Sequence, residues 1–435
     1  MIKGRHVLST GVATLVSGGL GLLLAFVAAR LLTPVENGYY AQYLLVMSGV
    51  FIVLNFGIGP ASTYHLASGR WGLPEMTRLN VRFTGIVGLL VLIVGLALAV
   101  TPAGVGLERT FKAPAPVLYA GLASGVLLIG VTQATAVLMG CHRYDRANIV
   151  NVLRSGLPLP FVLGAGFAVG GEMAVIGAQT IALAGVLAVA LALLPGAPTR
   201  ADGTRGAGRI HALLRYGGLA YLSNLLHFTA MRGLLLFVSF HAAPEQVGYF
   251  TLALLLLEAL LLLPSTIGQL ALSQSNSPMF DHDQIETMLR VNIYIGLALS
   301  VGIVFAAEPL AAWLLGPAYA SAGTALANLA PSVVLLTIPR ILSQVLSGQG
   351  RPGYPLAAAV ASAAVSIVLA VWWIPGHGLV AAAWITNIVA AVTAVVVLVG
   401  YCRVQGGRVL SVLTPQLCDF TLVGQIRRGW RGSQA

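Results

Sequence analysis

The sequence predicts an all-α integral membrane protein, with about twelve transmembrane helices in two parallel six-helix lobes around a central cavity. Three observations carry that prediction. Charged residues make only 9% of the 435-residue chain and apolar residues 57%, where a soluble domain is about 25% charged. The mean hydropathy is +0.89. Apolar runs of roughly the 20 residues needed to cross a bilayer recur along the chain, and the basic residues between them alternate between dense and sparse segments. Together these exclude a soluble enzyme, a nucleic-acid binder and a secreted disulfide scaffold. The net charge of +11 is a topology signal instead.

Lys3 and Arg5 precede an apolar run from Val7 to Leu32, longer than the roughly 7 to 15 apolar residues of a cleavable signal, so it reads as a retained first span. The remaining apolar windows fall at 38–60, 82–102, 115–139, 150–170, 173–194, 213–240, 247–271, 289–308, 322–346, 356–375 and 378–401. With the first segment inside, nineteen of the 24 Lys and Arg lie on the cytoplasmic side, while Arg30, Arg109 and Lys112 lie outside. Arg232 and Arg340 fall within spans. That bias places both termini in the cytoplasm. Cys141, Cys402 and Cys418 then lie on or near the cytoplasmic face, where a disulfide is not expected.

One polar, Gly-rich, basic stretch, PGAPTRADGTRGAGRIH from Pro195 to His211, interrupts the chain near its middle. It divides an N-terminal lobe (1–195) from a C-terminal lobe (213–402), with a cytoplasmic linker over 196–212 and a tail over 403–435. Internal repetition supports the division. Pro34-x-x-x-Gly38-Tyr39 recurs as Pro244-x-x-x-Gly248-Tyr249, and Val137-Leu138-x-Gly140-x-x-Arg143 recurs as Val345-Leu346-x-Gly348-x-x-Arg351. The offsets are nearly equal, and six spans separate the copies. Both copies therefore enter the membrane in the same direction, as parallel repeats, with a substrate site expected between them near the midplane.

No Gly-x-Ser-x-Gly elbow, His-Glu-x-x-His or Walker loop occurs, so the reading is of a non-enzyme that calls for no cofactor and no metal. The informative residues are the ionisable ones at bilayer depth, where a charge is costly unless it faces a cavity or a partner. Arg232 in span 7 reads as a cavity cation suited to an anionic head group through its fork of donors, or as the structural partner of Glu258 in span 8. Glu258 reads as a coupling carboxylate or as that partner. Arg340 lines the cavity or snorkels to the surface, and Asn224 and His227 share a helical face with Arg232.

Residues 29–62, ARLLTPVENGYYAQYLLVMSGVFIVLNFGIGPAS, resemble the opening of the bacterial polysaccharide-export and O-antigen flippase family in Arg30, Leu32, Thr33, Pro34, Glu36, Gly38 and Tyr40. The second half resembles it through LLRYGGLAYLSNLL, PEQVGYF and the segment from Gly348-x-x-Arg351 to Ile374-Pro375-x-x-Gly378. The resemblance implies membership of the multidrug, oligosaccharidyl-lipid and polysaccharide exporter superfamily. It also implies transfer of polyprenyl-diphosphate-linked oligosaccharide from the inner to the outer leaflet of the bacterial cytoplasmic membrane by alternating access. Arg232 would contact the diphosphate, with Arg30 and Arg340 as accessories. Where such proteins often carry Asp-Arg in span 7, this chain has Met231-Arg232. Expected partners are the lipid-linked glycan, membrane lipid and glycan polymerase or other assembly proteins, with no nucleic acid. Rival readings are a multidrug or small-solute exporter on the same fold, a membrane glycan polymerase or acyltransferase, and an assembly scaffold.

Overall fold

The computed structural model describes residues 4–69, 71–195, 208–262, 264–265 and 282–405. Their ordered elements are all helical. In the first half these are α1 (Gly4–Leu31), α2 (Pro34–Leu54), α3 (Ile58–Ala67), α4 (Leu73–Val100), α5 (Pro102–Phe111), α6 (Ala115–Gly140), α7 (Tyr144–Gly156), α8 (Pro158–Ala168) and α9 (Glu172–Ala192). In the second they are α10 (Gly208–His241), α11 (Pro244–Leu260), α12 (His282–Leu315), α13 (Ala320–Gly348) and α14 (Gly353–Gln405). Among the described residues, nine helical runs are long and apolar enough to cross a membrane. α7 and α8 make one such run, and α14 holds two passes merged across a kink at Gly378, where φ is 53°. With α10 and α11, which lie outside that set, the described helices are consistent with twelve passes. We name the end of the bundle that carries Pro34 and Pro244 the outer end, following the basic-residue asymmetry, and the opposite end the inner one.

Several expected boundaries are corrected. The second span ends at Leu54 rather than near residue 60, because Phe56 and Gly57 take left-handed backbone (φ 46° and 67°) and turn the chain into α3. The third begins at Leu73, nine residues before its apolar window, and the fifth at Tyr144. Apolar windows mark where side chains meet lipid, whereas the backbone stays helical into the head-group zone to satisfy its own hydrogen bonds. α5 is an additional short helix beyond the third span. Of the expected linker, 196–207 lies outside the described residues and Gly208 already opens α10. Tail residues 406–435 also lie outside them.

α6 is buried over 61% of its apolar window and the segment Pro317–Gly348 over 67%, whereas α4 is buried over only 6%. The first two are therefore the hubs of their halves, and α4 faces lipid. The repeated elements have the same local structure. α6 and α13 both close with a left-handed residue, His142 (φ 57°) and Gly350 (φ 74°). In each case the Arg amide then folds back onto the Leu carbonyl, Arg143 to Leu138 at 2.9 Å and Arg351 to Leu346 at 2.8 Å. Such closures satisfy carbonyls that the last helical turn leaves without partners.

The other repeat lies where the two halves meet. The Thr33 hydroxyl caps α2 by accepting from the Glu36 amide, and the Thr33 amide donates back to the Glu36 carboxylate at 2.7 Å. Pro34 takes the first helical position, where a missing N–H costs nothing. Pro244 does the same for α11. The two repeat glycines then face one another across the halves. A Cβ on Gly38 would lie 1.9 Å from the Pro244 carbonyl oxygen, and one on Gly248 would lie 3.0 Å from the Gly38 nitrogen. α2 and α11 thus cross in backbone contact at the outer end.

Candidate functional site

Between the halves lie two chambers of about 330 and 340 Å³ that share the walls Phe228 and Arg232. α10 positions both residues, along with Asn224, Met231 and Leu235, because steps of three and four return to one helical face. The outer chamber is lined by Asn37, Tyr40 and Ser48 of α2 and Thr251 of α11. The inner chamber is lined by Phe51, Asn224, Glu258 and Arg340. Behind the outer chamber, α2 is tied to α6 and α9 by buried hydroxyls. Tyr43 donates to Ser124 at 3.0 Å, Ser124 lies 3.0 Å from Thr180, and Tyr40 donates to Gln179.

Arg232 donates to Glu258 Oε1 at 2.9 Å, with side-chain exposures of 30% and 47%. These exposures decide the strength of the pair. An ion pair this exposed contributes no more than about 1 kcal/mol, so Glu258 holds Arg232 in place without locking it. Arg340 shares the chamber, and its lining therefore presents two guanidinium groups to one carboxylate. A ligand with two negative charges meets a net positive wall and can exchange with Glu258 on Arg232 through charge-assisted, bidentate bonds.

The residues singled out from sequence divide accordingly. Arg232, Arg340, Asn224 and Glu258 come together in the inner chamber. The His227 side chain lies outside the described set. Arg30 is elsewhere: exposed at the outer end of α1, it donates to the carbonyls of Trp313 and Leu314 in the last turn of α12. Sequence reasoning passed over Phe228, although it stands one turn before Arg232, and over Asn37, a buried amide three positions from the repeat proline.

Arg30 belongs to a set of contacts that seals the outer end. Lys112 donates to the carbonyls of His241 and Ala242 at 3.4 and 3.1 Å, where α10 ends. Tyr319 donates to the Leu32 carbonyl at 2.8 Å, just after α1. Each contact joins one half to carbonyls at a helix C-terminus of the other, the negative end of the helix dipole. At the inner end, among the described residues, Tyr221 donates to the Val53 carbonyl at 3.0 Å and its ring lies 5.5 Å from that of Phe56. Among the described residues no group of three or more His, Cys, Asp or Glu is placed to hold a metal ion.

A helical bundle with long apolar passes packed around a charged internal cavity has the architecture of a multi-pass membrane transporter, and solved structures share the fold. The lipid II flippase MurJ in an inward closed conformation superposes with a TM-score of 0.71 at 14% identity, over 97% of this chain and 92% of that one. An inward-facing multidrug resistance MATE family transporter of the MOP superfamily gives 0.66 at 19% identity, over 91% and 95%. A MOP superfamily transporter from Pyrococcus furiosus gives 0.56 at 17% identity, over 94% and 97%. No curated protein matches the sequence itself. The family model of polysaccharide biosynthesis proteins matches residues 27–323, more than half of the chain, and the chain belongs to that family.

Proposed function

We propose that this protein moves polyprenyl-diphosphate-linked oligosaccharide from the inner to the outer leaflet of the bacterial cytoplasmic membrane, by alternating access, during cell-surface polysaccharide synthesis. The observation that carries the reading is the inner chamber, where Arg232 and Arg340 outnumber Glu258. A diphosphate is the doubly charged, bidentate anion that such a wall selects. The lipid II flippase among the structural neighbours makes a lipid-linked head group a fitting cargo for this fold. A multidrug exporter of cationic compounds would need a negative cavity, and the excess here is positive. The chain acts as a carrier without bond-making chemistry. Its halves, 1–195 and 213–402, rock as lobes about the central cavity, with both termini and the 196–212 linker in the cytoplasm. A glycan polymerase or another assembly protein receives the cargo outside.

The test is the fate of lipid-linked intermediates in cells lacking the protein. Complete repeat units held on the cytoplasmic leaflet support flipping. Unpolymerised units on the outer leaflet would assign the protein to polymerisation, and drug sensitivity with normal glycan would assign it to small-solute export.

A further inference from the structure

We infer that the outer chamber is a glycan subsite, in which Asn37, Ser48 and Thr251 bind the sugars that follow the diphosphate. The inference rests on the transport reading above and adds to it what the protein recognises besides charge. Charge divides the two chambers. Arg232, Glu258 and Arg340 all line the inner one, whereas among the described residues only Arg232, in the shared wall, brings a charge to the outer one. An anion held by Arg232 therefore has a charged chamber on its inner side and a neutral, polar one on its outer side. Inner chamber, Arg232, outer chamber is then the order lipid, diphosphate, glycan.

The outer chamber, of about 330 Å³, runs along α2 from Asn37 to Ser48. These positions lie about 16 Å apart on the helix, so the chamber is elongated, as a short chain of sugar rings is. Asn37 stands where α2 and α11 cross, with its Nδ2 3.2 Å from the place of a Cβ on Gly248. Ser48 stands one turn before Phe51, which already lines the inner chamber. Asn37 is 3% exposed, and among the described residues its side chain makes no hydrogen bond. A buried amide demands both donors and acceptors. Ser48 gives its proton to the carbonyls of Leu44 at 2.7 Å and Leu45 at 3.1 Å, and Thr251 gives its own to Val247 at 2.8 Å. Toward the chamber these two hydroxyls are therefore acceptors, which select donors. Sugar hydroxyls donate to them and both donate to and accept from Asn37. A prenyl or acyl chain does neither and would leave the amide unsatisfied. The other walls are apolar or aromatic, Phe228 and Tyr40 among them, as in small-molecule sites generally, where a few placed polar groups fix the orientation.

Native mass spectrometry of the purified full-length protein tests the subsite with two probes, the lipid-linked glycan extracted from cells lacking the protein and polyprenyl diphosphate without sugar. The parent should retain the glycan lipid over the sugar-free lipid by about tenfold or more. Thr251→Val keeps the shape, removes the acceptor and should lower that ratio about fivefold; Asn37→Leu should lower it at least as far. Arg232→Ala should weaken both lipids alike and leave the ratio standing. Thr251→Val gives up only a bond to its own helix, so it should fold, and an unchanged melting temperature without added lipid verifies that. Equal retention of the two lipids by the parent, or a ratio unmoved by both Thr251→Val and Asn37→Leu, overturns the subsite while leaving the transport reading intact. Undiminished retention of both lipids by Arg232→Ala refutes the diphosphate contact, and cells that accumulate no lipid-linked glycan refute the transport reading; either result takes the subsite with it.

Discussion

Weakening the outer seal should open the outer chamber to the outside. Besides the α2–α11 crossing, three side-chain contacts join the halves at that end, and their strengths can be ranked. Arg30 and Lys112 are exposed cations on helix C-terminal carbonyls, a placement worth about 0.3 to 1 kcal/mol each. The buried bond from Tyr319 to Leu32 contributes about 0.5 to 1.5 kcal/mol. Removing all three should shift the balance between closed and open outer ends by roughly 2 kcal/mol, or about 30-fold. Tyr319 meets the chain two residues beyond Arg30, so the two effects can couple and fall short of their sum. The perturbation is Arg30→Ala, Lys112→Asn and Tyr319→Phe, singly and combined. Asn suits position 112, where the backbone is left-handed (φ 51°). The reporter is a cysteine at Ser48 in the outer chamber, modified in whole cells by an impermeant thiol reagent. Its labelling rate should rise several-fold with Arg30→Ala and roughly 30-fold in the triple variant. A triple variant that purifies as a monodisperse, folded protein and labels no faster than its parent would refute the seal.

Gly38→Ala should lower the melting temperature far more than Gly248→Ala, because its Cβ would strike the Pro244 backbone at 1.9 Å whereas the other meets its nearest atom at 3.0 Å; equal losses would contradict the close crossing of α2 and α11. Cysteines placed in the 196–212 linker should resist an impermeant reagent in intact cells and react after permeabilisation, and labelling before permeabilisation would reverse the proposed topology. Burial pushes the Cys141 thiol up, against the opposing pull of Arg143. Only its thiolate reacts, so its alkylation should be slow at neutral pH and still climbing above the ordinary thiol range, whereas a half-maximal rate at about pH 8.5 or below, the ordinary value, would contradict that environment.

Much of the architecture was legible because lipid imposes a simple code. Apolar windows of bilayer length suffice to locate most of the long helices. The ends of the helices were less legible, since apolarity says nothing about how far a helix runs into the head groups, as with Leu73 and Tyr144. The second span was misjudged because Asn55-Phe56-Gly57 breaks the helix through backbone conformation inside an apolar stretch. The Pro-x-x-x-Gly repeats were visible as pattern, but their purpose, two backbones in contact across the halves, needed coordinates. Arg232, Glu258 and Arg340 stood out because charge at membrane depth is conspicuous, and one chamber brings the three together. Arg30 carries the same charge, but sequence does not say which helix end lies within its reach, and here it meets the carbonyls at the end of α12. Phe228 and Asn37 gave no such signal, since an aromatic ring or an amide within a span is ordinary helix packing.

The central claim is that Arg232 engages a diphosphate head group in the inner chamber. The direct measurement is leaflet transfer of a polyprenyl-diphosphate-linked sugar by purified protein in liposomes, for the parent, Arg232→Ala, Arg232→Lys and the double variant Arg232→Ala with Glu258→Gln. Reconstituted amounts are matched, so that a folding defect is separated from a transport defect. The account predicts transfer by the parent, a partial rate for Arg232→Lys, which keeps the charge and loses the fork, and loss of transfer in both Ala variants. Undiminished transfer by a well-folded Arg232→Ala protein, or full recovery on adding Glu258→Gln, would contradict it and leave Arg232 as a structural partner of Glu258.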